Sequence, residues 1–429
     1  MKKNLVFTIC AKNYIGLAQI LEKSVLNHSM DTDFLIFVAD QIPDEAILSS
    51  LPSNIKIARD VVDIDGDMWI NMSFKYNLTE FCTSIKPAVF LHLLENTTYE
   101  KIVYLDPDIY VFSSLTPIYE MMDEHSIVLT PHVTRISEVY KGELPDTDFL
   151  GNGIFNLGFC GVKNDQTGKK MIKWWHSKLL HNCFIDPYLN TFTDQKWMDY
   201  LPAFFNDKEL LITRHLGLNI APWNFFERRI SIKEDQLIVA ARENEDEIYP
   251  VIFVHYSGYN YTQLKEDVVI QNNVSSLNNY EDIKLLTGRY AQSIKDNRDK
   301  FDRFIHLEYS YNKFDDGTVI NSFHRRLYRS LINKGEKLEQ PFSCSSHSFY
   351  ARLKKAGMIR QTALNIDKMG KSNMRGIDSK LILFNRMTRI IYRLLGFERY
   401  SLFVRLLRPY SRYESQIHLL DPQYDKENI

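Results

Sequence analysis

The chain is poor in cysteine, has no long apolar run and carries almost no net charge, and each shortage closes off a class of function. Five cysteines are scattered through 429 residues, at Cys10, Cys82, Cys160, Cys183 and Cys344, with no Cys-x-x-Cys spacing. That pattern argues against a disulfide framework and against a cysteine zinc site. Thiols of this kind suit a reducing cytoplasm. The apolar run Leu5 to Ile9 is too short for a signal-peptide core, and no small-residue cleavage site follows it. No stretch approaches the roughly 18 to 20 apolar residues of a membrane span. The expectation is a cytoplasmic protein, with attachment at the inner face of a membrane left open. A formal net charge of -2 supplies no global attraction for nucleic acid, and no nucleic-acid module is recognisable. There is no Gly-rich phosphate loop after the first apolar run, no evident Ser/His/Asp triad and no internal repeat.

What is present is an ordinary globular composition, 45% apolar and 25% charged. Short apolar runs alternate with amphipathic stretches over roughly the first 260 residues. Leu5 to Ile9, Phe34 to Val38, Ile55 to Ala58, Ile102 to Leu105 and Ile127 to Leu129 have the character of buried strands. Tyr14 to Leu26, with Leu17, Ile20, Leu21 and Val25 at helical spacing, and Lys86 to Leu94 predict helices. The alternation predicts an α/β fold with a mostly parallel central sheet, whose strands are continuous apolar runs because both faces are covered. Ligands of such sheets bind beyond the carboxyl ends of the strands. Past about residue 265 the pattern changes: 280–304 has the look of a polar helix, and 351–415 carries fifteen Lys or Arg against four Asp or Glu. The expected division is a catalytic domain over 1–265 and a mainly helical, partly basic region over 266–429.

The most informative stretch is Lys101-Ile-Val-Tyr-Leu-Asp-Pro-Asp-Ile-Tyr-Val-Phe112. An apolar strand ends in two carboxylates, Asp106 and Asp108, and a second apolar stretch follows at once. Carboxylates in that setting must be solvated, paired or metal-bound, because unpaired buried charge is costly. Their oxygens suit Mn²⁺ or Mg²⁺. Taken alone, Asp106-Pro107-Asp108 is more often a strand ending in an Asp-Pro turn.

Five more segments fall in order around it, and together they resemble the GT-A glycosyltransferases of the glycogenin-like retaining family, family 8. Tyr104 to Val111 resembles that family's metal-binding segment. Phe7-Thr8-Ile9-Cys10-Ala11-Lys12-Asn13-Tyr14 resembles its nucleoside-binding strand and turn. Lys86 stands where the family has a basic residue reaching the donor. Gly153-Ile154-Phe155-Asn156-Leu157-Gly158-Phe159 resembles its donor-sugar and acceptor segment. Asp194-Gln195 resembles its Asp-Gln pair, and His255-Tyr256-Ser257-Gly258 its histidine segment. The resemblance spans about residues 4 to 260. Two departures stand out. Cys10, Ala11 and Lys12 occupy positions where the family often has an acidic residue, which leaves the base open. Tyr259-Asn260-Tyr261 replaces a Lys-Pro-Trp, so diphosphate contacts are not carried over from that loop.

The resemblance implies roles. Asp106, Asp108 and His255 hold the metal; Lys86 assists the diphosphate; Asp194 and Gln195 face the donor sugar, with the leaving oxygen taking the acceptor proton. Thr8, Ala11, Asn13, Tyr14, Asp40, Asn156 and Gly258 join Lys86 and the two metal aspartates as donor contacts. From the residues alone, alternatives stay open. His255 follows an apolar run and could be a structural hydrogen-bonder. Tyr14 could stack on a base or simply begin a helix; Asp40 could be a turn residue. Asn156 lies in an otherwise apolar segment read as strand and needs partners, sugar or backbone. Trp223 and Asn224 could line an acceptor groove or belong to the core. In the C-terminal region, 386–405 mixes arginines with apolar residues, as in a helix lying on an anionic membrane or packed on a neighbouring domain.

The function implied is metal-dependent transfer of a hexose from a nucleotide-diphosphate sugar, in particular a UDP-sugar. The acceptor is a glycan or a lipid-linked saccharide, as in bacterial surface polysaccharide synthesis. The rival readings are a sugar nucleotidyltransferase and a non-catalytic carbohydrate- or partner-binding protein on the same fold.

Overall fold

A computed structural model describes residues 2–135, 139–243, 247–274, 277–359, 367 and 376–425. The chain divides into two compact units, one made of 1–64 and 78–309, the other of 65–77 and 310–429. The expected boundary at 265 falls inside the first unit.

The first unit is built on a seven-stranded sheet. Its strands begin with β1 (Asn4–Cys10), β2 (Thr32–Val38), β3 (Ile55–Ile57) and β4 (Lys101–Leu105). The chain continues with β5 (Ile109–Val111), β6 (Ile127–Leu129) and β7 (Phe159–Lys163). Next come the short hairpin of β8 (Ile185–Asp186) and β9 (Thr191–Phe192), then β10 (Leu210–Ile212). The sheet order is β10-β6-β7-β4-β1-β2-β3, and every pairing is parallel except those of β7 with β4 and β6. Every residue of β1 is buried, as expected for a central strand covered on both faces. The helix Ile15–His28 follows one 3₁₀ turn and buries Leu17, Ile20, Leu21 and Val25, the four positions that the sequence spacing singles out.

Outside this sheet, β11 (Arg228–Lys233), β12 (Gln236–Ala241) and β13 (Ile248–Pro250) form an antiparallel sheet. Then β14 (Phe253–His255) pairs antiparallel with β5. The stretch 280–304 is not one polar helix but two, Ile283–Asp296 and Arg298–Phe304, broken at Asn297. They bury Leu286, Tyr290, Ile294, Phe301 and Phe304, an apolar stripe at helical spacing that the polar majority of the segment masks.

The second unit has its own core, in which Phe74 of the helix Gly66–Lys75 packs with Phe314, Leu327, Tyr328, Leu331 and Phe349. Asn321 caps the helix Ser322–Asn333. On that helix Arg325 is fully buried and donates to the carbonyls of Phe74 at 2.5 Å, Tyr76 at 2.8 Å and Tyr311 at 2.7 Å. Arg329 pairs with Glu414 at 3.0 Å. The helix Ile377–Leu407 differs: none of its residues is buried, and Gly396 interrupts it at φ 74°. Of the basic segment 351–415, residues 360–366 and 368–375 lie outside the described residues. Among the described residues no helix is long and apolar enough to cross a membrane.

Candidate active site

The pairing of β5 with β14 sets the site. Asp106 and Asp108 occupy the turn between β4 and β5, and His255 ends β14 directly opposite Ile109. Backbone bonds pin the turn: Asp106 donates to the Gly158 carbonyl at 2.8 Å, and Tyr256 donates to the Asp108 carbonyl at 2.9 Å. Residues about 150 positions apart in the chain are thereby brought together. One ligand atom from each of Asp106, Asp108 and His255 lies within 4.8 Å of the others. The His255 Nε2 is 3.2 Å from Asp108 Oδ1 and 3.6 Å from Asp106 Oδ2.

Each ligand is held from behind. Tyr104 donates its hydroxyl to Asp106 Oδ1 at 2.5 Å, and Tyr261 donates to Asp108 Oδ2 at 2.9 Å. Both bonds engage the carboxylate oxygen turned away from His255 and leave the other oxygen toward it. Gly158 has no room for a side chain, because a Cβ there would lie 2.5 Å from the His255 ring. The charge balance is tight. Burial pushes the Asp106 carboxyl up, against the pull of Lys86 and His255. Desolvation acts on Asp108 too, but the charge and hydrogen bond of His255 hold it below the usual carboxylate range. Burial disfavours the imidazolium of His255, yet Asp108 and Asp106 outweigh it and raise that pKa. Two carboxylates and an imidazole that draw positive charge to one point fit a divalent cation with oxygen and nitrogen ligands.

A second pair joins this one. Lys86 opens the helix Lys86–Asn96 with its side chain 1% exposed, and pairs with Asp194 at 2.5 Å. Its ammonium also donates to the Leu157 carbonyl at 2.8 Å and lies 4.1 Å from the centre of the Tyr104 ring. Burial works against its charge, but Asp194 and Asp106 together hold its pKa above the ordinary value. Lys86 is therefore not a solvated surface lysine. Trp175 donates to the Asp194 carbonyl at 3.1 Å, and Gln195 donates its amide to the Asn152 carbonyl at 2.9 Å. Asp194, Lys86, Tyr104, Asp106, Asp108, His255 and Asn156 thus form one connected cluster.

The remaining expected residues lie around it. Asn156 belongs not to a strand but to the turn before β7, and its partners are protein groups: the Gly158 amide at 3.1 Å and His255 Nδ1 at 3.2 Å. Thr8 sits within β1 and Asn13 just beyond it, and the oxygens Thr8 Oγ1 and Asn13 Oδ1 are buried with no hydrogen-bond partner among the described residues. Ala11 is the extended residue before the 3₁₀ turn. Tyr14 packs edge-on against Tyr261 at 5.8 Å, which links it to Asp108; burial pushes its hydroxyl up to about 12. Asp40 lies just past β2, 3.7 Å from Lys12 Nζ. Gly258 has φ 80°, and a Cβ there would come within 2.8 Å of the Asn273 amide, so both backbone and space favour glycine. Trp223 packs with Phe149 and Ala221 and edge-on against His255 at 5.3 Å, within the core.

Sequence reasoning missed Tyr104, Tyr261, His132 and Asn219. Tyr104 stood inside the quoted motif. Tyr261 stood in the loop noted only as a departure, where a hydroxyl now supports a carboxylate. His132 and Asn219 have no local signal.

With this geometry in view, comparison with known proteins is direct. Residues 5–180 match the model of glycosyl transferase family 8. That match spans less than half of the chain and supports a glycosyltransferase built on an α/β fold. The matched span includes Lys86, Asp106, Asp108 and Asn156; Asp194, Gln195 and His255 lie beyond it. The chain is 26% identical over 263 residues to the uncharacterized protein YfnF of Bacillus subtilis (strain 168), covering 60% of this chain and 82% of that one. Among solved structures it is similar to the galactosyltransferase LgtC in complex with donor and acceptor sugar analogues, at 18% identity, TM-score 0.39, 59% of this chain and 87% of that one. It is also similar to the glycosyltransferase GlyE of Streptococcus pneumoniae TIGR4, at 14% identity, TM-score 0.37, 73% of this chain and 67% of that one. The family match, not these superpositions, carries the assignment.

Proposed function

We propose that the protein transfers a hexose from a UDP-sugar to a glycan or lipid-linked saccharide, with a divalent cation and with retention of anomeric configuration. The observation that carries this reading is the convergence of Asp106, Asp108 and His255 within 4.8 Å. These three residues would hold Mn²⁺ or Mg²⁺, which when bound supplies positive charge to a departing diphosphate. The residues of the chain do the rest. Lys86 spends two donors on Asp194 and the Leu157 carbonyl, and an ammonium has three; the third is left for a phosphate oxygen, where fixed charge stabilises the leaving group. Asp194, paired with Lys86 at 2.5 Å, sets negative charge beside the donor sugar, and Gln195, anchored by its amide, faces the same sugar. A paired carboxylate is a poor base, which favours a route in which the leaving oxygen accepts the acceptor proton. The buried oxygens of Thr8 and Asn13 suit a nucleoside with donors to offer, together with Ala11, Tyr14 and Asp40, and Gly258 lets backbone approach the diphosphate. The test is nucleotide release from a panel of UDP-sugars with and without Mn²⁺. Turnover that survives Asp106→Ala with Asp108→Ala would overturn the reading.

The second unit supports a membrane-proximal acceptor of the kind used in bacterial surface polysaccharide synthesis. Arg386, Arg389 and Arg393 share one face of the helix Ile377–Leu407 by their spacing. Leu383, Met387, Ile390 and Leu394 flank them, 53% to 79% exposed. An exposed apolar stripe beside arginines fits an anionic lipid surface at the cytoplasmic face. Sedimentation with phosphatidylglycerol vesicles, lost on Arg386→Glu with Arg389→Glu, checks it; equal binding to phosphatidylcholine vesicles counts against it.

A further inference from the structure

Behind the metal-ligand histidine lies a run of polar side chains whose hydrogen-bond direction is settled by two backbone groups. His132 Nδ1 is 3.0 Å from the Ile154 carbonyl. A carbonyl only accepts, so Nδ1 carries the proton. Burial depresses the His132 pKa to about 4, in keeping with a neutral ring whose Nε2 is an acceptor. That Nε2 faces Asn156 Nδ2 at 3.4 Å, so the amide nitrogen of Asn156 lies on this side. The opposite side agrees independently: the Gly158 backbone N–H, which only donates, meets Asn156 Oδ1 at 3.1 Å. Asn219 donates to the same oxygen at 3.1 Å and to Thr130 Oγ1 at 2.8 Å. Asn156 Oδ1 then faces His255 Nδ1 at 3.2 Å. An amide oxygen only accepts, so His255 is protonated on Nδ1. In the neutral ring that would bind a cation, the Nε2 lone pair is then left toward Asp106 and Asp108.

The geometry points to Asn156, anchored by His132 and Asn219, as a positioning residue that fixes the tautomer and the ring plane of His255 for metal ligation. This rests on the metal-site reading above, and it replaces the expected role of Asn156 as a contact to the donor sugar. The physical need is real: neutral imidazole has two tautomers, and only one presents its lone pair to the carboxylates. Support of this kind behind a metal histidine typically sets affinity by about 10- to 100-fold. All four side chains are nine-tenths buried or more, so water does not compete for these bonds.

The experiment has two readouts besides turnover. Long-range ¹⁵N–¹H NMR of the histidine-labelled full chain, at a pH where the ring is neutral, reports the tautomer of His255, assigned by its absence from His255→Gln. Protonation on Nδ1 is expected; protonation on Nε2 overturns the proposal. Calorimetric titration with Mn²⁺ is the second. Asn156→Leu is expected to weaken binding by about 10-fold or more, and His132→Phe by less, because the Gly158 amide still holds Oδ1. Unchanged Mn²⁺ affinity in a folded Asn156→Leu overturns the proposal. The wild-type tautomer decides it should that variant fail to fold. Wild-type protein that binds no Mn²⁺ sinks the metal reading, while the tautomer still decides the positioning role.

Discussion

Two regions of this molecule bury charge, and they do so to different ends. In the second unit Arg325 is enclosed and fully spoken for. Its guanidinium reaches the carbonyls of Phe74, Tyr76 and Tyr311, and also Asn312 Oδ1 at 3.1 Å. Those carbonyls include the unmet acceptors at the end of the helix Gly66–Lys75. In the first unit Asp106, Asp108, Lys86, Asp194 and His255 are crowded together, and one oxygen of each of Asp106 and Asp108 is turned toward the His255 imidazole, at 3.6 Å and 3.2 Å. Buried charge by itself therefore does not mark a site. Bonding capacity left over after the protein has supplied its own partners does.

The sharpest way to break this contrast is to remove the open carboxylates. Asp106→Ala with Asp108→Ala is expected to lower Mn²⁺-dependent nucleotide release by about 10³-fold or more, on the scale of losing major electrostatic stabilisation of a transition state. The thermal midpoint should change little, since the buried carboxyl of Asp106 opposes folding while Asp108, held low by His255, favours it. A large fall in the midpoint alongside the loss would mean the aspartates are structural. Next in size, Arg325→Met should cost about 3 kcal/mol in the second unit, because it strands several buried carbonyls; urea unfolding measures it. Initial rates of nucleotide release from folded protein should change far less than for the aspartate pair. A comparable loss of turnover would erase the distinction between the two regions.

How much of this was legible in the sequence follows from the same contrast. Five of the seven strands of the main sheet were, because residues covered on both faces must be apolar in unbroken runs, as in β1 and β4; β7 and β10 were not singled out. Asp106 and Asp108 stood out, because charge between two apolar strands is anomalous. Arg325 was not. In a helix whose neighbours are Arg326 and Arg329 it looks like part of a solvated basic face, and two of its partners, Phe74 and Tyr76, lie about 250 residues away in the chain. The same distance hid the grouping of 65–77 with the C-terminal residues, since nothing local in Gly66–Lys75 says which core Phe74 will enter. His132 was invisible for another reason: its role depends on the direction of hydrogen bonds, and sequence patterns carry no direction.

Between the extremes stands Lys86, whose charge is buried and paired yet retains one donor. Lys86→Met keeps most of the volume and removes the ammonium. Turnover is expected to fall about 10²-fold, and Asp194 loses the partner that it meets at 2.5 Å. A folded variant that loses stability in urea but keeps its turnover would place Lys86 with Arg325 rather than with the open cluster.

The smallest effect separates an open ligand from its support. The Tyr261 hydroxyl lies 2.9 Å from Asp108 Oδ2 and 2.8 Å from the Tyr256 carbonyl, which share its one proton, and its ring packs against Tyr14. Tyr261→Phe removes the hydroxyl and keeps the ring, so the packing survives and two acceptors lose a donor. One hydrogen bond to a charged group is worth about 1.5 to 3 kcal/mol, but Asp108 is partly exposed and water can replace the lost donor, which brings the expected cost to about 1 kcal/mol. In Mn²⁺ titration this is a loss of about fivefold, with nucleotide release at saturating Mn²⁺ nearly unchanged, because the carboxylate is still present and only less well held. Loss of turnover at saturating Mn²⁺ would instead assign the hydroxyl to the donor itself, and the loop that departs from the family pattern would then contact substrate rather than brace a ligand.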